Sequence, residues 1–267
     1  MALPAPLDLA DVLLKRYECL HTLGNHPQAK PELVSSLDIP RSTLDDIFRD
    51  LERADLVEYH NGKWQLTLLG RYTLDHHTRY KDGLESLTDA AAIVEELPQE
   101  TAVKRRFLID ADVHVATGPV PDEVMQVFLN AVESASHVRS VTPLAMASYA
   151  DSFYRRATAG SDSQLEVVLP LETFERLRVL HPDQTDKAMA DENTTLYHGN
   201  VPVTFSLWIG DDDHAGLIVY ADQGVQGILV NDTDDALAWA NEQYDHIQEN
   251  AKPIFYRGSA KRTPGYS

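Results

Sequence analysis

The residues from Lys30 to Thr67 admit few folds. In RSTLDDIFRDLERADLVEY, Leu44, Ile47, Phe48, Leu51 and Ala54 recur at i, i+3, i+4, i+7 and i+10, and so share one stripe of a helix. Ser42, Asp46, Arg49 and Arg53 then fall on the opposite face, with Thr43 and Asp50 at its flank. Ser42 followed by Asp45 spells a capping box and predicts where this helix begins. Pro40 keeps Ile39 out of the α region and closes a preceding helix, in which Pro31 suits the first turn and Leu33, Val34 and Leu37 face inward. Downstream, Leu56, Val57 and Tyr59 on one side and Trp64, Leu66 and Leu68 on the other flank Asn61-Gly62, a strong hairpin signal. Helix, turn, helix and tight hairpin make the order of a winged helix-turn-helix. The helices alone also fit, as the lesser reading, an αα-hairpin with no nucleic-acid role; the hairpin argues against it.

On that reading the second helix lies in a major groove of double-stranded DNA, offering Arg41, Ser42, Thr43, Asp46, Arg49 and Arg53. The hairpin tip, Asn61, Gly62 and Lys63, reaches the adjacent backbone or minor groove. Gln28 and Lys30, at the positive end of the preceding helix, are expected to meet phosphate. Arg49 and Arg53 are the best direct readers, because a guanidinium pairs with guanine through two hydrogen bonds. The plainer role for the same arginines is ion pairing along a solvated helix face.

Around this segment the chain reads in order. Asp8 is expected to cap a first helix with Leu9, Val12, Leu13, Leu20 and Leu23 on its inner stripe, closing at Gly24. Thr67 is expected to cap a long helix that runs, with a weak point at Gly83, as far as Pro98. In it Leu84, Leu87, Ala91 and Val94 follow a 3-4-3 spacing, a short seam suited to a homodimer or to packing on the next domain. From about residue 100 strands alternate with helices, and a run of strands from Thr204 to Val230 precedes a last helix capped by Thr233. The expected fold class is an α+β winged helix-turn-helix domain followed by an α/β domain with a mixed, largely parallel sheet. The expected divisions are a DNA-binding domain at 1–80, a linker helix at 81–99, an α/β sensor or dimerisation domain at 100–252 and a flexible tail at 253–267.

Composition refines the class. Asp and Glu number 42 against 23 Lys and Arg, with Asp alone at 26 and Lys at 8. An Asp-rich, Lys-poor surface keeps a protein hydrated in concentrated salt, and the excess is spread along the chain rather than gathered in a tail, so a haloarchaeal protein is expected over a merely acidic one. Residues 1–80 hold 9 basic and 12 acidic side chains, a net of −3; the remaining 14 and 30 give −16, and together they make −19. The half expected to meet DNA is the less repulsive. No apolar run nears the ~18 residues of a membrane span, no charged n-region marks export, and the single Cys19 reads as a core thiol, so a cytoplasmic protein is expected.

The segments YECLHTLGNHP, LTLLGRYTLDHH, VTPLAMASYADSF and GILVNDTDDALAWANEQYDHI carry a resemblance. The chain resembles archaeal winged-helix regulators whose C-terminal part is the domain named after the methanogenesis filament regulator. The resemblance spans nearly the whole chain and implies a transcription regulator with a sensor domain of phospholipase-D-like topology, also seen in sugar-responsive TrmB-type regulators. A phosphodiesterase of that topology needs His-x-Lys-x₄-Asp, and no His here is followed by Lys two places on, so no enzymatic activity is expected.

Glycine-rich phosphate loops and the Gly-x-Ser-x-Gly elbow are absent, and none of the eleven His are paired as His-x₃-His. Neither a metal nor a cofactor is expected, and Asp211-Asp212-Asp213-His214 reads as a turn. A small-molecule effector would sit at the carboxyl ends of the strands, near Thr117, Thr142 and Tyr149, with Trp208 as a wall. The alternative is a C-terminal domain that only dimerises or recruits partners.

Overall fold

The computed structural model describes residues 6–116, 121–222 and 224–255. The chain divides into two compact units, 1–84 and 85–267. Among the described residues no helix is long and apolar enough to cross a membrane.

The first unit contains α1 (Pro6–Asn25), α2 (Lys30–Leu37), α3 (Arg41–Arg53), the strands β1 (Val57–His60) and β2 (Lys63–Leu66), and the start of α4 (Leu68–Asp89). Leu20 of α1, Leu33 of α2, Leu44 and Leu51 of α3, and Leu56 just ahead of β1 are completely buried in its core. The Phe48 ring stacks on Trp64 at 3.9 Å, which fastens α3 to the hairpin. Asn61 and Gly62 both take positive φ, 50° and 82°, and His60 faces Lys63 across them. That is the two-residue turn whose twist matches the strands it joins. Trp64 also exchanges backbone hydrogen bonds with Gln28, adding a third strand residue to the wing.

The structure departs from several local expectations. α1 begins at Pro6, two residues ahead of Asp8. α1 ends at Asn25, one residue past Gly24, where a Cβ would come 2.8 Å from Leu74 Cδ2 of α4. α2 ends at Leu37, with Asp38 in the left-handed region at φ 52°. α3 starts at Arg41, which places Ser42 within the first turn, and the Asp45 carboxylate is bonded by Lys30; no capping box forms. Thr67 does cap α4, its hydroxyl accepting from the Gly70 N–H at 2.9 Å. α4 passes through Gly83 without a break and stops at Asp89, and a separate turn, α5 (Ala91–Val94), follows. The 3-4-3 seam is therefore not one stripe. Ala90 and Ile93 are the buried residues there, whereas Leu84 is 47% exposed and Ala91 is also exposed.

The second unit continues with α6 (Arg105–Leu108), β3 (Asp112–Val115), α7 (Met125–Ser134), β4 (His137–Val141), α8 (Ala147–Ala157), β5 (Gln164–Leu169), α9 (Leu171–Leu180), α10 (Pro182–Ala190) and β6 (Thr194–His198). It ends with β7 (Phe205–Gly210), β8 (His214–Ala221), β9 (Gly224–Asn231), α11 (Asp234–Gln248) and β10 (Lys252–Pro253). The strands form one mixed sheet in the order β10-β6-β5-β4-β7-β8-β9-β3. Parallel pairing is confined to β4, β5 and β6, and the other pairs are antiparallel. The helices between β4, β5 and β6 are long enough for crossovers, whereas β7, β8 and β9 follow one another through short turns that reverse the chain. The parallel share is thus smaller than the βα alternation predicts. The segment expected to fray after Pro253 is tied down in its described part: β10 pairs with β6, and Ile254 N–H bonds Leu196 O at 2.8 Å.

Alternation along the strands splits the core in two. Val141, Val168, Phe205, Leu207, Ile209, Leu217 and Leu229 face α5, α6 and α11, where Trp239 fills the centre. Val138, Leu165, Val167, Trp208, Ile218 and Ile228 face α7, α8, α9 and α10. β7 is buried on both faces throughout, as a central strand must be. The expected turn at Asp211–Asp213 joins β7 to β8, with Asp211 and Asp212 at positive φ. The Asp211 carboxylate also accepts from the backbone N–H groups of Ser136 and His137 at 2.7 to 2.9 Å, anchoring the start of β4.

Candidate nucleic-acid interface and an apolar pocket

α3 has two faces of opposite character. Leu44, Ile47, Phe48 and Leu51 are buried, while Arg41, Ser42, Thr43, Asp46, Arg49 and Arg53 are exposed. Asn61, Gly62 and Lys63 project at the exposed tip of the hairpin. All of the expected α3 and wing residues therefore lie on the surface of the first unit.

Their electrostatics are less uniform. Arg49 donates to Asp46 at 2.8 Å one turn away, the pairing expected of a solvated face, and its side chain is still 60% exposed. Arg53 forms no ion pair among the described residues. Asp50 is held by Arg16 of α1 at 2.8 Å, which leaves it turned toward the protein. Lys30 bonds Asp45 and lies over the Phe48 and Trp64 rings at 5.8 and 6.0 Å, so it staples α2 to α3 and the wing. The Lys30 hydrogen bond holds the Asp45 carboxyl below the usual range, with Arg41 and Arg49 adding to the effect. Gln28 is corrected from a phosphate contact to an internal residue. It is 6% exposed, and its amide donates to Thr22 O at 3.1 Å. A Gln ahead of a helix gives no sign in sequence that its backbone pairs with a hairpin residue, Trp64, far along the chain.

The second site is a cavity of about 170 Å³ between the sheet and α7 to α10. Thr142, Tyr149 and Trp208 all line it; Thr117 lies outside the described residues. The cavity runs from the carboxyl ends of β4 and β5, at Thr142 and Leu169, toward Leu165 and Thr194. Trp208 is 1% exposed and meets Phe128 edge-on at 5.0 Å, and its Nε1 has no hydrogen-bond partner. Its indole lies across Gly216, where a Cβ would come 2.0 Å from the ring. Sequence reading missed Ser206 and Tyr220, which join Thr142 in a line of hydroxyls with 2.6 Å spacings. The available signal was period two: Ser206 and Trp208 share a strand face, and Tyr220 is two residues beyond Ile218 on that same face. Among the described residues no cluster of His, Cys, Asp or Glu could hold a metal ion.

Residues 8–89 match the model of the HVO_A0261 N-terminal domain, and residues 121–250 that of the methanogenesis regulatory protein FilR1, middle domain. Curated proteins give no match. Among solved structures the chain is similar to the archaeal chromatin protein TrmBL2, at 15% identity and a TM-score of 0.42, covering 94% of this chain and 100% of that one. It is also similar to Nuc, a phospholipase D family member from Salmonella typhimurium, at 11% identity and 0.43, covering 55% and 100%. An IclR-family protein from Rhodococcus sp. matches at 12% identity and a TM-score of 0.21, over 93% and 97%. The two matches fall on the two compact units in turn: the chain is similar to the HVO_A0261 N-terminal domain over 8–89 and to the FilR1 middle domain over 121–250.

Proposed function

We propose that the chain is a sequence-specific DNA-binding transcription regulator of a salt-adapted archaeon, working in the cytoplasm as a homodimer under the control of a small molecule held in the second unit. The observation that carries the DNA-binding reading is α3 itself. One face is sealed into the core through Phe48 and Trp64, and the other presents Arg49 and Arg53 to solvent beside the wing tip. That geometry suits insertion of α3 into a major groove, with Asn61, Gly62 and Lys63 reaching the flanking backbone. A two-fold dimer would place two such helices on one palindromic site. The match to a regulatory protein's middle domain over residues 121–250 supports the division into reading and sensing parts.

The acidic balance shapes how this interface works. Asp46 sits at the reading face, and in molar salt the Debye length falls to about 3 Å, which screens both its repulsion and the pull of Arg49. Specificity then rests on short-range contacts with base edges, and affinity should fall less steeply with salt than in a basic regulator.

The test is selection of a binding site from random duplexes, followed by titration with Arg49→Ala. Loss of one bidentate guanine contact is worth about 1–3 kcal/mol, a roughly five- to 150-fold weakening, with relaxed preference at one position. Arg155→Ala serves as the control, since Arg155 pairs with Asp151 on α8 and removes the same charge from the second unit. Equal losses in both variants, or no selected site at all, would overturn the reading.

A further inference from the structure

We propose that the cavity under α7 to α10 takes an uncharged aromatic molecule of one or two rings that carries a single hydroxyl or N–H donor. This names the ligand class for the effector control proposed above and rests on that reading.

Size sets the first limit. The cavity's roughly 170 Å³ is close to the roughly 150 Å³ of an engineered apolar cavity that holds benzene, so one ring fits and a second extends toward the open side. Phe128 stacks on Phe153 at 5.2 Å and meets Trp208 edge-on, so ring faces and edges are both on offer.

Charge sets the second. Among the described lining residues there is no Asp, Glu, Lys or Arg. A carboxylate or phosphate entering here would lose its water and find His181 alone as a titratable cation on the lining. Of the polar side chains on the lining, Ser140, Thr142, Tyr154, Thr185, Thr194, Ser206 and Tyr220 already hydrogen-bond within the protein, so the many hydroxyl groups of a sugar would go largely unmatched.

The polar end is fixed by counting protons. Thr142 donates its hydroxyl proton to Leu144 O, because a carbonyl can only accept. The 2.6 Å contact between Thr142 and Ser206 must then use the Ser206 proton, and the next 2.6 Å contact must use the Tyr220 proton. The line ends on the Tyr220 phenol oxygen, which has lone pairs left and no proton to give. Burial raises the Tyr220 phenol above its ordinary value, which keeps it protonated and the direction of the line intact. A ligand that meets this end must bring the donor. Trp208 Nε1, unpartnered and on the same cavity, offers a donor to whatever oxygen or ring face the ligand presents.

The experiment is isothermal titration of the full chain with phenol and indole, against benzene, benzoate, glucose and glucose 6-phosphate. Phenol or indole should bind at least ten-fold more tightly than each of the other four. Tyr220→Phe should weaken phenol about ten-fold while leaving benzene unchanged, and Ala150→Phe, which fills the cavity from α8, should abolish both. Thermal melts of each variant establish that it is folded, and the selectivity of the unaltered chain stands without them. Equal binding of phenol and benzene, tighter binding of benzoate or a sugar, or no binding of any neutral aromatic would overturn the ligand class. Anisotropy on the selected DNA site separates the two proposals. Phenol that binds without changing DNA affinity removes effector control and leaves the ligand class standing. A sugar phosphate that alone changes DNA affinity removes the ligand class and leaves effector control.

Discussion

Replacing Phe48 by Ala tests whether α3 is held outward by the stack beneath it. Phe48 is 2% exposed and sits 3.9 Å from the Trp64 ring, with the Lys30 ammonium above both. Removing a buried phenyl group costs about 3–5 kcal/mol through lost burial and the cavity left behind, and loss of an aromatic pair belongs to the same total. A unit of this size is stable by roughly 4–12 kcal/mol, so a loss near 4 takes a large part of it. The assay is hydrogen exchange of the α3 amides in the full chain. At about 1.36 kcal/mol per ten-fold, amides that exchange by unfolding of the unit should exchange about 10³ times faster. Phe48→Leu, which refills most of the volume, should cost less than about 1.5 kcal/mol and speed exchange by about ten-fold. A rise below ten-fold for Phe48→Ala, or equal rises for the two variants, would refute the claim that this stack positions the helix.

Burial pushes the Cys19 thiol up from 9.0 to about 12, against an opposing pull from Arg16. The unfolded chain then loses this proton at lower pH than the folded one, so the first unit should lose stability as pH rises from about 9 to about 12, by an amount on the order of 4 kcal/mol. Cys19→Ala should flatten that alkaline slope in a urea titration series, and an unchanged slope would place its cause elsewhere. Gly216→Ala forces a methyl group to within 2.0 Å of the buried Trp208 ring. A loss of about 1–3 kcal/mol is expected from overpacking, and it should shrink in a Trp208→Phe background; strict additivity in the double-mutant cycle would contradict the close contact. Gly62→Ala puts a side chain at φ 82° and should cost about 1 kcal/mol, measured as a lower urea midpoint, with no loss if the turn changes type.

Periodicity and turn chemistry were legible in the sequence because they are local. The 3.6-residue stripe of Leu44, Ile47, Phe48 and Leu51 fixed which side of α3 faces solvent, and Asn61-Gly62 and the caps Thr67 and Thr233 stand where the residues predicted. The crevice rule also led to Thr142, Tyr149 and Trp208, which line one cavity. What one chain could not disclose are pairings between distant positions. Lys30 is bonded by Asp45 fifteen residues on, Gln28 is absorbed into the wing, and Asp211 ties β7 to the start of β4.

Sequence alone determined most of the elements, their order and the polarity of their faces, since these follow from backbone stereochemistry and the spacing of apolar residues, but not the α4–α5 break, α6 or β10. Only the tertiary structure decided that the sheet has a three-strand parallel portion within an antiparallel frame, and that Thr142, Ser206 and Tyr220 line up end to end. Those outcomes depend on which strands become neighbours, a choice made by the packing of the whole core and not by any stretch of residues within it.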